Sequence, residues 1–217
     1  LTKNVLILGA NGQIARQVED MLLDEQADIH LTLFLRRSSR LQQLSSDERV
    51  TVIDGDVLNM ASLKEAMHGQ DIVYANLDGS DLKEQANNIM QAMNSVGVDR
   101  LIFVSAGGIY DELPGKFGEW NKRVMGSILV PYRESVEAIE EANSVDYTIL
   151  RPVWLTNYDE IDYETTRKGE TFKGTEVSRK SVAALVVQLI LHPEQEIGES
   201  LGVNKPNTDG DKPAFFK

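Results

Sequence analysis

Through most of the chain, short apolar runs alternate with segments whose apolar residues recur every three or four positions. Val5–Leu8, Leu31–Leu35, Val50–Ile53, Ile72–Ala75, Leu101–Val104 and Tyr147–Leu150 are short, continuous and largely β-branched or aromatic. Such runs suit strands of a parallel sheet buried on both faces. Between them lie four stripes at helical spacing. Ile14, Val18, Met21 and Leu22 form the first. Leu63, Ala66 and Met67 form the second, with Ser62 as its predicted N-cap. Ile89, Met93 and Val96 form the third, and Val136, Ile139 and Ala142 the fourth. This alternation predicts an α/β fold, a doubly wound parallel sheet with helices on both faces and right-handed crossovers.

After Pro152 the pattern weakens. Asn157 to Thr175 is polar, with Tyr158, Tyr163 and Phe172 scattered through it. A further helix is predicted from about Arg179 to Leu191, stopped at His192-Pro193 because proline cannot continue it. Leu201-Gly202-Val203 reads as a last short strand, and Lys205–Lys217 as a surface tail. The expected organisation is one domain over residues 1–217. A small C-terminal lobe for substrate would come from about 153–180 and 205–217.

Composition narrows the chemistry. The 217 residues carry a formal net charge of -12, which repels phosphodiester backbones and argues against a nucleic-acid partner. No cysteine is present, so disulfides, thiolate metal sites and cysteine nucleophiles are excluded. His30, His68 and His192 lie too far apart in sequence for zinc-ligand spacing, and no metal site is expected. The first apolar run is too short for a signal peptide or a membrane span, so a cytoplasmic protein without a membrane partner is expected. No long apolar stripe is left over once the core helices are assigned. Both a monomer and a homodimer fit.

Gly9-x-x-Gly12-x-x-Ala15 follows the first predicted strand and opens the first predicted helix. The glycines alone would serve any strand-to-helix turn. In this position they match the phosphate cradle of a Rossmann-type fold. Gly9 permits the tight turn, Gly12 lets the backbone approach a pyrophosphate, and Ala15 allows close helix–strand packing. The helix start then offers free N–H groups to the anion. NAD-preferring sites end the second strand in an acid that holds the ribose 2′-OH. Here that strand runs into Arg36-Arg37-Ser38-Ser39-Arg40. Guanidinium forks match a 2′-phosphate, so NADP(H) is the expected dinucleotide; a solvated basic turn is the competing reading. Asp56 and Val57, past the third strand, could frame an adenine, or Asp56 could be an ordinary turn carboxylate. Ala75-Asn76-Leu77 closes the fourth strand on the edge where open α/β sheets bind ligands.

These residues carry a resemblance to a known family. Val5 to Ala15, Leu35 to Arg37, Val52 to Val57, Ser62 to Val73, Leu101 to Gly107, Asp146 to Leu155 and Val177 to Ala183 are similar to the atypical short-chain dehydrogenase/reductases. The branch includes flavin reductase (biliverdin reductase B) and NmrA-like NAD(P)H-binding proteins. The resemblance implies that Gly9, Asn11, Gly12, Gln13 and Ile14 cradle the pyrophosphate. It implies that Arg36 and Arg37, with Ser38 beside them, take the 2′-phosphate, and that Asp56 and Val57 frame adenine. Ala75, Asn76 and Leu77 would line the central part of the cofactor, with Ser105 and Ala106 near the nicotinamide ribose. Pro152, Val153, Trp154 and Leu155 would cover the nicotinamide.

Typical members of that superfamily pair a tyrosine with a lysine four residues later, which lowers the phenol pKa. Ser105 and Tyr132 stand where the serine and tyrosine of that arrangement are expected, but the lysine position is Val136. Tyr132 therefore reads either as a proton donor or as a partly exposed helix residue. Val153 replaces the histidine that follows the corresponding proline in biliverdin reductase B. Reduction of a flavin, quinone or similar planar acceptor by NADPH suits the missing pair, because a reduced flavin can take its proton from water. Trp154, Tyr110, Tyr158 and Phe117 are candidates for an aromatic platform, or for plain packing. A non-catalytic NADP(H)-binding redox sensor is the alternative. An isomerase with a tightly held cofactor fits less well without the lysine.

Overall fold

The computed structural model describes residues 1–25 and 28–217. Seven parallel strands and one antiparallel strand form a single sheet. They are β1 (Lys3–Leu8), β2 (Ile29–Leu35), β3 (Val50–Asp54), β4 (Ile72–Ala75), β5 (Arg100–Val104), β6 (Asp146–Pro152), β8 (Glu164–Arg167) and β10 (Glu199–Asn204). The order across the sheet is β3-β2-β1-β4-β5-β6-β10-β8, with β8 the antiparallel member. A separate two-stranded parallel ribbon pairs β7 (Trp154–Thr156) with β9 (Glu176–Ser178). The predicted α/β fold is what the chain forms, and each apolar run became a strand, unchanged or with one or both ends extended by one or two residues.

Six α-helices cover the two faces: α1 (Gln13–Asp24), α2 (Met60–Met67), α3 (Leu82–Val96), α4 (Gly115–Met125), α5 (Val130–Ala142) and α6 (Arg179–Leu191). α1 packs against α6 on one face, and α3 packs against α2 and α5 on the other. Two cores result. One joins Ile14, Val18 and Leu22 of α1 to Val182, Val186 and Ile190 of α6 through the near faces of β1 and β2. The other joins Leu63, Ile89, Met93 and Ile139 through the far faces of β1, β4 and β5. Central strands are apolar on both sides because both sides are roofed, which is why their sequence shows runs rather than alternation.

Several local expectations change. Asn59, not Ser62, caps α2: its side chain accepts from the Ser62 N–H, so the helix begins two residues before the predicted cap. α4 was hidden by Pro114, Gly115 and Gly118, and buries only Phe117 and Asn121. The polar stretch after Asn157 contains β8 and leads into β9, because sheet-edge strands need few apolar residues. The tail is not purely a surface segment. Phe216 packs edge-on against Trp120 and Trp154 at 5.0 and 4.8 Å between centroids, and Ala214 N–H donates to Glu176 at 2.9 Å.

Sheet order reverses between β1 and β4, the point where chain connections leave in opposite directions and the strand tips leave a crevice.

Candidate functional site

The crevice at the carboxyl ends of β1 and β4 opens into a groove of 690 Å³ that reaches from the tip of β2 to the tip of β6. That volume is in the range that holds a cofactor-sized ligand. Among the described residues, no helix is long and apolar enough to cross a membrane, and no group of three or more acids or histidines is arranged to hold a metal ion.

Its floor begins at the glycine turn. Gly9 sits at φ +74°, a left-handed conformation that side chains disfavour. A Cβ on Gly9 would lie 2.1 Å from the Asn76 carbonyl oxygen, and one on Gly12 would lie 2.0 Å from Asn76 Nδ2. A side chain at Gly12 would thus have to displace the Asn76 amide at the neighbouring strand tip, whereas one at Gly9 would meet backbone. Asn76 is fixed in turn by Tyr74, whose buried hydroxyl donates to Asn76 Oδ1 at 3.2 Å. Gly12 is the N-cap of α1 and supplies no side-chain cap, and the first turn of α1 carries no acid. The opening amides of α1 therefore face the groove uncapped, beside Asn11, Gln13 and Ile14 in its lining.

At the β2 end the arginines separate. Arg36 and Arg40 line the groove, whereas Arg37 does not. Arg37 takes φ +55° to turn the chain into a 3₁₀ helix over Ser38–Ser46. Arg40 folds back beneath the pair, Nη2 donating to the Arg36 carbonyl at 2.7 Å. Ser38 also lies off the groove. Its backbone N–H donates to Asp54 Oδ2 at 2.8 Å, and this bond holds the Asp54 carboxyl below the usual range. That acid is tied to a turn, not turned toward the groove lining. Asp56 and Val57 line the next wall. Val57 is buried, and its carbonyl accepts from Asn88 Nδ2 at 3.2 Å.

The middle and far walls divide the remaining expected residues. Asn76 and Leu77 line the groove, but Ala75 is fully buried in the core as the last residue of β4. Side chains alternate along a strand, so neighbours cannot all face one ligand. Ser105, Tyr132, Pro152 and Leu155 line the β6 end. Ala106 packs against the core instead. Val153 is buried in the core on the α1 face. Trp154 turns away, donating Nε1–H to Asn121 Oδ1 at 2.8 Å and packing on Trp120. The aromatic platform does not assemble. Phe117 stacks on Trp120, Tyr158 is exposed, and the Tyr110 hydroxyl is held by Glu140 Oε1 at 2.7 Å and Ser200 Oγ at 3.0 Å. None of these four lines the groove.

Two groups carry the local chemistry. Ser105 is 6% exposed and its Oγ has no hydrogen-bond partner, an orphan polar atom at the groove wall. Tyr132 is half-buried, and burial with the nearby Asp78 carboxylate holds its phenol above the ordinary value. Val136, at the lysine position, is fully buried against the sheet. Nothing on that helix face lowers the tyrosine pKa.

The loop after β5 is set by a buried ion pair that sequence reasoning missed. Arg151 is 1% exposed and donates from Nη1 to Glu112 Oε1 at 2.6 Å. Glu112 also accepts from the N–H groups of Gly108 and Tyr110, both at 3.0 Å. This clamp fixes the turn just beyond Ser105. Losing one partner of such a pair costs about 3–5 kcal/mol. Arg40, which the sequence offered as part of the basic cluster after β2, lines the groove, and so do Asp78, Asp81, Gln85 and Arg179, which were not expected there. The segment Val177–Ala183 already carried Arg179 as part of the family resemblance. The others had no signal beyond lying near a strand tip.

A profile of the NAD(P)H-binding family matches residues 9–193. A Rossmann-fold NAD(P)-binding family protein from Shigella flexneri is 51% identical, with a TM-score of 0.84 over 100% of both chains. A short-chain dehydrogenase/reductase from Veillonella parvula, solved in complex with NADP, is 32% identical with a TM-score of 0.90 over 99% of this chain and 100% of that one. Protein YmjC of Escherichia coli is 54% identical over 41 residues, 19% of this chain and 67% of its own length. From the glycine turn through the matched span, the chain belongs to the NAD(P)H-binding family of Rossmann-fold proteins.

Proposed function

We propose that this protein is an NADPH-dependent reductase that delivers hydride to a flavin, quinone or similar planar acceptor. The observation that carries this reading is one continuous groove. It has arginines at the β2 end, uncapped helix amides in the middle, and Ser105, Pro152 and Leu155 at the β6 end. Arg36 and Arg40 suit a 2′-phosphate, the α1 amides suit a diphosphate, and Asp56 with Val57 suits an adenine edge and face. The bound NADP seen in the Veillonella relative supports the same choice of dinucleotide.

When bound, the dinucleotide supplies the hydride. The chain's own residues position the reactants. Asn76 and Gly12 interlock to keep the helix amides aimed at the groove. The Arg151–Glu112 clamp fixes the wall that carries Ser105. The buried Ser105 hydroxyl has no partner within the protein and would hydrogen-bond a ribose or an acceptor oxygen brought against it. Tyr132, held protonated, can donate a hydrogen bond but is a poor proton shuttle near neutral pH. The acceptor takes hydride at one atom and a proton from solvent at another, leaving NADP⁺ and the two-electron-reduced acceptor. Catalysis by orientation suits such an acceptor better than a ketone or aldehyde, whose carbonyl oxygen needs a tuned acid.

The test is to mix the purified protein with NADPH and, in turn, FMN, riboflavin and a quinone, following the nicotinamide absorbance. Oxidation well above the uncatalysed rate is expected for at least one acceptor. Tight NADPH binding without turnover across the panel would overturn the reductase and leave a nucleotide sensor.

A further inference from the structure

Arg179 is the first residue of α6, and its neighbours in space are fixed by strand register. β9 pairs with β7 so that Ser178 lies opposite Thr156, which sets Arg179 beside Asn157, and Arg179 lines the groove together with Leu155 and Pro152. Arg179 is half-buried. Its Nη1 donates to Asn157 Oδ1 at 2.8 Å, which anchors one edge of the guanidinium. No carboxylate lies within ion-pair distance of it among the described residues, and burial alone pushes its pKa down, with no acid opposing. By contrast Arg16, Arg49, Arg133, Arg151 and Arg167 each face an aspartate or glutamate. In a chain of net charge -12, an unpaired guanidinium in a cleft is a group whose partner is missing.

We propose that Arg179 forms an anion subsite at the β6 end of the groove, taking a phosphate or carboxylate. Arg36 follows β2 and Pro152 ends β6, four strand spacings away, roughly 19 Å at the usual sheet spacing. One 2′-phosphate cannot satisfy both arginines. The anion at Arg179 is a second one, carried either by the acceptor or by the diphosphate of the dinucleotide. The acceptor is favoured, because the glycine turn that suits the diphosphate lies at β1, three strands from β6. Resting on the reductase reading, this narrows the acceptor class to anionic planar molecules.

FMN and riboflavin differ only in the phosphate, so the pair isolates the anion. Wild type, Arg179→Gln and Arg179→Lys are titrated with FMN and riboflavin by flavin fluorescence, and separately with NADP⁺. The expected result is that Arg179→Gln weakens FMN roughly tenfold or more, leaves riboflavin and NADP⁺ within twofold, and that Arg179→Lys recovers part of the loss. A tenfold loss for NADP⁺, with the FMN-to-riboflavin ratio unchanged, assigns the anion to the dinucleotide and keeps the subsite. Equal, small changes for all three ligands overturn it. Should wild type bind neither flavin, the flavin reading falls by itself. The NADP⁺ titration then decides Arg179, and unchanged affinity there removes the subsite.

Discussion

Arg36 and Arg37 are adjacent, exposed and chemically alike, yet the backbone gives them different surroundings. Arg37 spends its conformation on a left-handed turn and points off the groove, while Arg36 lines it and is joined there by Arg40. Replacing Arg36 with alanine is expected to weaken NADPH roughly tenfold or more and NADH by less than twofold, because the lost fork meets only the 2′-phosphate. Arg37→Ala is expected to change neither appreciably. Fluorescence titration of both nucleotides against both variants checks this, and equal weakening of NADPH and NADH by Arg36→Ala would contradict the assignment. The cluster was legible because three arginines in an acidic chain stand out. Which of them faces the groove was not, since one positive φ decides it.

Among the elements, α1 carries the most unusual burial. Glu19 is fully buried on the helix that opens at the glycine turn, ion-paired with Arg16 but with Oε1 left without a partner. Burial raises its carboxyl from the ordinary 4.5 to about 8, with Arg16 opposing. The sign follows from proton counting. Between those values the folded chain keeps a proton that the unfolded chain releases, so stability falls as pH rises through the window and levels off above it. The slope from this one group approaches about 1.4 kcal/mol per pH unit at most. Urea unfolding at pH 6 and pH 8.5 is expected to show wild type losing more stability than Glu19→Gln between the two. Parallel losses would mean that Glu19 ionises normally in the fold. The stripe of α1 was readable from its apolar spacing, but the buried acid was not, because Glu19 sits among Arg16, Asp20 and Asp24 and reads as solvated.

For the whole molecule, a dinucleotide that bridges β2, β1, β4 and β6 touches turns from distant parts of the chain and should stabilise them together. A ligand at about 100 times its dissociation constant adds about 2.7 kcal/mol. For a chain of this size that raises the melting temperature by roughly 5–10 °C. NADP⁺ is expected to produce such a shift, and NAD⁺ at the same concentration a smaller one. A thermal melt unmoved by either nucleotide would remove the groove's assigned occupant. The aromatic cluster of Trp120, Trp154 and Phe216 belongs to the same scale, because it ties the tail to α4 and β7. Of these rings the sequence singled out only Trp154, as a ligand platform or plain packing, and the fold uses it for packing.

Local periodicity determined the strands, most helices and the glycine turn, because each depends on residues within a few positions of one another. The charge contrast at Arg36–Arg40 likewise needs only the linear chain. Tertiary structure alone decided which strand-tip residues face the groove, because side chains alternate along a strand and Ala75 and Val153 fall on the buried side. It alone brought Asn76 against Gly12, Arg151 against Glu112, and Arg179 against Asn157, since these contacts join segments far apart in sequence through sheet order and register.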